Sequence, residues 1–165
     1  MRWGTGTRGA MTTILVRPLV AADRADWFRL WQGYLTFYGT ELNAAVSEAT
    51  WSRLLDAGSP VCGLVADGEA GIAGFLNYVL HENTWTSMPV CYLEDLYVDP
   101  AARGHGAGRA LIEALVALAR RERWHRVYWM TKAGNRTARK LYDGITPVTD
   151  WVRYDIDIRE PEQEP

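Results

Sequence analysis

The chain has 165 residues, of which 48% are hydrophobic and 23% charged, and its formal net charge is −2. This composition is that of an ordinary globular protein, and the length predicts one domain with a single substantial core. The slightly acidic balance argues against general nucleic-acid binding, and the sequence has neither an apolar run of membrane-spanning length nor a secretory signal pattern, so we expect a cytoplasmic protein without a membrane partner.

The first half of the chain predicts one strand, two helices and a hairpin. Residues 1–10 are rich in glycine and have no periodicity, so we expect a disordered extension before a single domain over residues 11–158. The hydrophobic spacing then predicts a strand over residues 12–17, helices over 21–38 and 47–57, and paired strands over 61–66 and 71–81.

The second half alternates between strands and helices. The patterns predict strands over residues 90–98, 126–131 and 148–158, helices over 106–123 and 135–143, and a flexible charged tail over 159–165. A helix joins the first two of these strands, so they should run parallel. The order predicts an α/β domain of the α+β type with a mixed sheet.

A glycine-rich loop follows the strand over residues 90–98. Small residues at the start of a helix expose backbone N–H groups at its positive end, and this arrangement holds a phosphate or pyrophosphate. The loop is neither a dinucleotide fingerprint, which follows the first strand, nor a Walker loop, which ends in Gly-Lys-Ser/Thr. We expect an anion cradle rather than a plain turn, built from Arg103, Gly104, His105, Gly106, Ala107, Gly108 and Arg109.

Three segments carry a family resemblance. The loop pattern Arg-x-x-Gly-x-Gly from Arg103, the strand VYWMT from Val127 and the helix pattern Asn-x-x-Ala-x-x-Leu-Tyr from Asn135 resemble the GNAT N-acetyltransferase superfamily. The wording of LEDLYV, VYWMT and NxTAxxLYD further resembles the branch that acetylates polyamines, histone tails and other small amines. The detailed match covers residues 91–154, and the first half agrees only in pattern.

The resemblance implies the acyl-CoA N-acyltransferase fold, a mostly antiparallel mixed sheet whose central parallel pair of strands splays apart. It also implies acetyl-CoA as cosubstrate and no metal, in agreement with three scattered histidines and two cysteines, Cys62 and Cys91, that we expect to be buried thiols. By analogy the loop holds the phosphates, although Arg103 and Arg109 are alternatively solvated rim residues. The other implied cofactor contacts are the backbone of Leu96, Tyr97 and Val98 and the side chain of Asn135, which also caps its helix.

The expected chemistry needs a base and an acid, because an amine must lose a proton before it attacks a thioester and the departing thiolate gains one. Glu94 and Asp95 interrupt an apolar strand, and alternation directs them to opposite faces. The resemblance implies Glu94 as the base, acting through water, and Asp95 as an acceptor-binding acid, unless either caps a loop or pairs with an arginine. Tyr142 lies two helical turns after Asn135 and is implied as the acid, with packing as its alternative.

The acceptor site should come from the variable parts of the chain. Aromatic residues near acids suit a cation, and we expect Trp31, Tyr38 and Trp85 to contact the acceptor, although core packing is the alternative for the helix aromatics. Trp129 and Trp151 lie in strand patterns and are predicted to be core. The sequence does not choose among a small-molecule amine such as a polyamine, a lysine side chain and an N-terminal amine.

Two further readings of the loop stay open. The same fold could serve as a non-catalytic acyl-CoA sensor or scaffold, and the loop could belong to a nucleotide-binding module unrelated to coenzyme A. The presence of Glu94 and Tyr142 favours an acetyltransferase working by direct attack in a ternary complex. Because members of the superfamily commonly dimerise through late strands, a homodimer is expected.

Overall fold

The computed structural model describes residues 14–68 and 71–158. The predicted extension over residues 1–10 and the predicted tail over 159–165 lie outside the described residues. Contacts within the chain define two compact units, residues 1–130 and residues 131–165. In the described part of the chain, no helix combines the length and apolar character that crossing a bilayer requires.

The first unit contains a five-stranded mixed sheet in the order β1-β2-β3-β4-β5. Neighbouring strands are antiparallel except for β4 and β5, which are parallel as the crossover helix predicts. The strands are β1 (Leu15–Pro18), β2 (Val61–Gly68), β3 (Gly71–Asn83), β4 (Thr86–Val98) and β5 (Arg126–Tyr128).

Helices α1 (Arg24–Tyr38), α2 (Ala44–Leu55) and α3 (Ala107–Arg121) pack against this sheet, and α4 (Arg136–Asp143) belongs to the second unit. An aromatic cluster joins α1 to β3: Trp27 and Phe75 are fully buried, and the Trp27 ring stacks on Trp31 at 5.1 Å between centroids. Burial of this apolar area is the main force that holds α1 on the sheet. The helix ends at Gly39, whose φ of +64° is the left-handed conformation that favours glycine.

Helix α2 begins three residues before the sequence pattern predicts. The side chain of Asn43 accepts a hydrogen bond from the Ala45 N–H at 2.9 Å and caps the helix. Ser47 instead lies inside the helix and is buried, and its hydroxyl accepts a hydrogen bond from the Trp31 indole N–H at 3.0 Å.

The β3–β4 hairpin is longer than predicted, since residues 82–83 and 86–89 also belong to its strands. Polar residues there hide the alternation. In contrast, β5 ends at Tyr128, and residues 148–158 form no strand in the described structure although they alternate like one. Alternation alone does not make a strand, which also needs a hydrogen-bonded neighbour. The prediction that Trp151 is a core residue is therefore wrong, because 79% of its surface is exposed.

Candidate functional site

The two parallel strands separate where the resemblance implies that they should. Their ladder has three residue pairs and ends at Tyr92 opposite Tyr128, whereas β4 continues to Val98. Leu96, Tyr97 and Val98 stay paired with β3 on one side, and on the other side β5 does not accompany them within the described residues. This side of β4 can therefore offer backbone groups to an extended ligand.

A β-bulge in β4 lies beside this opening. Asp95 pairs with Asn77, but the next residue of β3, Tyr78, pairs with Leu93, so Glu94 is the extra residue of the bulge. Leu93 is buried and Glu94 is exposed. Because a bulge re-aims the side chains around it, simple alternation does not describe this part of the strand.

Asp95 belongs to a hydrogen-bonded cluster that connects three elements. Its Oδ2 accepts a hydrogen bond from Asn77 Nδ2 on β3 at 3.0 Å, and its carboxylate accepts another from the Tyr34 phenol on α1. Burial raises the pKa of Asp95, and the two hydrogen bonds only partly oppose that effect. Burial together with the Asp95 charge raises the pKa of the Tyr34 phenol, so Tyr34 stays a hydrogen-bond donor.

Asn77 was not among the residues that sequence reasoning selected. It is 2% exposed, and its Oδ1 accepts no hydrogen bond from the described residues. The signal was present in the sequence as a single amide inside the apolar run GFLNYVL. A buried amide needs partners, so it should have suggested a polar contact on a neighbouring strand.

Tyr97 connects the end of β4 to α1 and to the glycine-rich loop. The centroid of its ring lies 6.3 Å from that of the Tyr34 ring and 5.6 Å from the Arg103 guanidinium. A Cβ added at Gly33 would stand 2.6 Å from the Tyr97 phenol oxygen, so the glycine lets the ring lie against the helix. Arg103 Nε also donates to the Val98 carbonyl at 3.1 Å.

The glycine-rich loop has the geometry of an anion cradle. Gly104 and Gly106 have φ values of +85° and +88°, and a Cβ added at either would meet no other atom within 4 Å, so the loop is open. The first intrahelical bond of α3 runs from the Ala110 N–H to the Gly106 carbonyl at 2.9 Å. The N–H groups before Ala110 therefore lie at the helix start, where a phosphate is favoured.

Arg109 lies in the first turn of α3, and its guanidinium pairs with Glu113 at 3.5 Å. The Arg109 side chain therefore lies along the helix surface, in agreement with the alternative that it is a solvated rim residue. Arg103, in contrast, lies against the end of β4.

In the second unit, Asn135 caps α4 as the sequence predicts. Its Oδ1 accepts from the Ala138 N–H at 3.3 Å and its Nδ2 donates to Thr131 Oγ1 at 3.1 Å. Tyr142 is half-buried near the end of the same helix, and its carbonyl accepts from the Ile145 N–H at 2.8 Å. The cap is confirmed, while the cofactor contact of Asn135 and the acid role of Tyr142 stay predictions.

The three expected acceptor contacts differ in exposure. Trp31 is 7% exposed and belongs to the aromatic core, in agreement with the packing alternative. Tyr38 is half-buried with its ring 4.9 Å from that of Tyr34, and Trp85 is 82% exposed at the turn of the β3–β4 hairpin. That end of the hairpin borders a cleft of about 470 Å³ lined by residues 80–83 and 86–89.

The cysteines are free in the described structure: Cys91 is buried as expected, and Cys62 is only half-buried. Burial raises the pKa of the Cys91 thiol to about 12, so this residue on β4 is a neutral thiol at physiological pH. In residues 14–68 and 71–158, His, Cys, Asp and Glu side chains form no group of three that could hold a metal ion.

Comparisons with known proteins agree with this architecture. The sequence model of the Acetyltransferase (GNAT) family matches residues 24–144, more than half of the chain. A D-amino-acid N-acetyltransferase of Saccharomyces cerevisiae is 36% identical over 143 residues, covering 86% of this chain and 89% of that protein. An aminoglycoside N(6')-acetyltransferase of Stenotrophomonas maltophilia is 33% identical over 108 residues, covering 64% of this chain and 67% of that protein.

Among solved structures, the crystal structure of a probable acetyltransferase superposes with a TM-score of 0.78 at 19% identity, over 89% of this chain and 99% of that one. That likeness shows the fold alone, and the sequence matches show the family. The chain belongs to the GNAT acetyltransferase family and is an N-acetyltransferase.

Proposed function

We propose that the enzyme transfers the acetyl group of acetyl-CoA to a primary amine in a ternary complex. The observation that carries this proposal is the conjunction of two features along one strand. No residue of β5 pairs with the Leu96–Val98 segment of β4, and a glycine-rich loop with Gly104 and Gly106 in left-handed conformations follows it. An extended thiol carrier with a diphosphate has this shape and charge.

Cofactor binding is divided between strand and loop. The Leu96, Tyr97 and Val98 backbone takes the pantetheine arm, and the segment from Arg103 to Arg109 takes the diphosphate through N–H groups and the helix dipole. Asn135 is a further cofactor contact, an assignment that rests only on the Asn-x-x-Ala motif in which it lies.

The acid–base roles are proposed from the family resemblance, and the exposure of Glu94 supports its role. The amine nitrogen, once deprotonated, attacks the thioester carbonyl carbon; the C–S bond then breaks and the thiolate accepts a proton. Glu94, exposed at the bulge, takes the amine proton through water. Asp95 binds the acceptor as an ammonium ion, and Tyr142, supported by its motif, protonates the thiolate. Direct attack is favoured because the Cys91 thiol, with its pKa of about 12, is a poor nucleophile for an acetyl-cysteine route.

The acceptor is a cationic amine. The carboxylates of Glu94 and Asp95 and the Tyr38 ring suit an ammonium ion. Trp85 and the cleft beside the hairpin lie at the other end of β4, about 30 Å along the strand, so Trp85 would contact a more distant part of the acceptor. The relatives named above act on D-amino acids and aminoglycosides, so both classes join polyamines and peptide amines as candidate acceptors. A role for Trp31 would be indirect, through packing behind Tyr34.

The assembly is proposed to be a homodimer. Residues 148–158 carry exposed apolar side chains in alternation, including Val152, Ile156 and Ile158 at 71–90% exposure. Such a segment is poorly suited to remain in water, and a second copy of the chain would cover it. Sedimentation at several concentrations tests this state, and a monomer throughout would contradict it.

An amine panel tests the function. Purified protein is mixed with acetyl-CoA, a thiol reagent, and in turn a polyamine, an aminoglycoside, D- and L-amino acids and a peptide. Amine-dependent release of free thiol is expected, and the Glu94→Gln variant should lose most of it, most strongly at low pH where the amine is charged. Coenzyme A binding without thiol release for any amine would favour a sensor or scaffold instead.

A further inference from the structure

Arg29, on the face of α1 near the glycine-rich loop, makes contacts that the proposed chemistry does not use. Its Nη1 donates to Asp99 Oδ2 at 2.5 Å, and its Nη2 donates to the Ile72 carbonyl at 3.1 Å and to Asp26 Oδ1 at 3.2 Å. One guanidinium thus connects the helix, the start of β3 and the residue that follows β4. Charged, multiply bonded contacts of this kind are stronger than a single surface ion pair.

Asp99 stands between the end of β4 and the loop. Its Oδ1 accepts from the Ala101 N–H at 3.0 Å and caps a 3-10 turn, Pro100–Ala102, while its own N–H donates to the Ala73 carbonyl at 2.8 Å. The next residue after this turn is Arg103, the first of the cradle. The same carboxylate therefore fixes the path into the loop with one oxygen and holds Arg29 with the other.

The charge of Asp99 also matters to an anion nearby. Hydrogen bonds from Ala101 and Arg29, with smaller contributions from the charges of Arg29 and Arg103, hold the pKa of Asp99 below its ordinary value. A permanently ionised carboxylate next to a phosphate cradle repels the phosphate. Arg29 is placed to cancel that charge.

We propose that Arg29 is a positioning residue for the cofactor: through Asp99 it holds the entrance of the glycine-rich loop and neutralises a carboxylate that would oppose diphosphate binding. The inference rests on the proposed function in taking coenzyme A as the ligand. It differs from that function in concerning binding alone, so it is measurable without acetyl transfer.

The test is coenzyme A binding to the Arg29→Gln variant by titration calorimetry. We expect the Kd for coenzyme A and the KM for acetyl-CoA to rise about three- to tenfold, with kcat and the acceptor KM changed less than about twofold. The rise should be larger at low ionic strength, because part of it is repulsion by the Asp99 charge that has lost its arginine partner.

A matched control exists on the same helix. Arg24 is as exposed as Arg29 and pairs with Glu48 of α2 at 2.5 Å, but this ion pair lies away from the loop. Arg24→Gln removes one exposed ion pair from the same helix and should leave the Kd for coenzyme A unchanged. Thermal unfolding of both variants shows whether they lose similar stability, which separates positioning from a general structural effect.

A double variant separates charge from geometry. In Arg29→Gln with Asp99→Asn the carboxylate charge is gone, while asparagine can still cap the 3-10 turn. We expect it to recover part of the affinity that Arg29→Gln alone loses. An Arg29→Gln Kd within twofold of the wild type, or a loss equal to that of Arg24→Gln, overturns the inference. Coenzyme A binding that depends on Arg29 in a protein without acetyl transfer would overturn the proposed enzyme and leave this inference standing; no binding by the wild type would overturn both.

Discussion

The side-chain amide of Asn77 donates a 3.0 Å hydrogen bond to the carboxylate of Asp95 on the adjacent strand, one residue beyond the β-bulge at Glu94. The Tyr34 phenol donates to the same carboxylate from α1. The carboxylate is therefore held in one orientation while burial opposes its charge. A buried, ionised carboxylate lowers the stability of the fold, and an uncharged side chain at the same position would not do so.

Asp95→Asn should make the protein more stable near neutral pH and less active. The native pKa of Asp95 is raised by burial, so the folded state binds the proton more tightly than the unfolded state and the ionised side chain destabilises the fold. The amide removes that charge, and the gain in unfolding free energy should shrink as the pH falls through the native pKa. Urea unfolding at several pH values measures this gain. The kcat/KM for the acceptor should fall at least about tenfold if Asp95 binds the ammonium ion.

Asp150→Asn is the control for this substitution, because Asp150 is exposed and the same change there should alter neither quantity. A destabilised Asp95→Asn variant would mean that the carboxylate is a structural anchor.

Tyr34→Phe should move the acid limb of the activity profile. The Tyr34 hydrogen bond lowers the pKa of Asp95, so its removal raises that pKa further. The ionised form, which binds a cationic acceptor, is then lost at a higher pH. The pH dependence of acceptor kcat/KM should show its acid limb displaced upward, while Tyr154→Phe, at a 90% exposed tyrosine, leaves it in place. Coinciding profiles for Tyr34→Phe and the wild type would argue against an ionised Asp95 in acceptor binding.

Local patterns were sufficient to predict the elements around the proposed cofactor site. The strand, glycine loop and crossover helix from β4 to β5 each carry a signal within a few residues: an apolar run, glycines that reach positive φ, and helical spacing. Chain chirality then sets the parallel pair. The N-cap at Asn135 is equally local and is found as predicted.

Contacts across strands were not predictable in this way. The pairing of Asn77 with Asp95 depends on the register of β3 with β4, which a single extra residue at the bulge shifts. The alternation over residues 148–158 is typical of a strand, but the structure has no strand there, because a strand also needs a neighbouring strand to pair with. The Arg29–Asp99 ion pair joins residues 70 positions apart, and no local signal indicates it.

Gly106→Ala should weaken coenzyme A binding more than it weakens the fold. Gly106 has a φ of +88°, a conformation that costs an L-residue about 1–2 kcal/mol. The loop can relieve that strain by rotating its N–H groups away from the cradle, so calorimetry should show an affinity loss of about tenfold or more. Gly39→Ala, at a φ of +64° with open space around it, carries similar strain at the end of α1 and should cost stability without affecting coenzyme A. Equal affinities for the wild type and Gly106→Ala would argue against the cradle.

Tyr142→Phe should reduce kcat with little change in the Kd for coenzyme A. Loss of a general acid typically costs about a hundredfold in rate, because the thiolate must then leave without a proton donor. The ring remains, so the packing of α4 is conserved, and thermal unfolding should match that of the wild type. Stopped-flow thiol release under saturating acetyl-CoA makes the measurement. A full rate in Tyr142→Phe would assign the tyrosine to packing.

Asp23→Asn should destabilise the protein by an amount that disappears in acid. Both oxygens of the buried Asp23 accept from the Arg17 guanidinium, at 2.8 and 2.9 Å, and Oδ2 also accepts from the Val20 N–H at 2.8 Å. The Arg17 hydrogen bonds, followed by the Val20 N–H and the Arg17 charge, hold the pKa of Asp23 below its ordinary 3.8 in the folded protein. The unfolded state therefore binds the proton more readily, and the stabilisation is complete above the ordinary pKa and is lost as the pH falls through the lower native value.

We expect the variant to lose about 1.5–3 kcal/mol of unfolding free energy near neutral pH, the range for hydrogen bonds to charged groups, and the difference from the wild type to narrow below about pH 4. Glu48→Gln, which breaks the exposed pair with Arg24, should change the unfolding free energy much less than Asp23→Asn does at neutral pH, because solvent screens the pair. A gap between Asp23→Asn and the wild type that stayed constant down to pH 2 would mean that the ionised carboxylate is not the source of the stability.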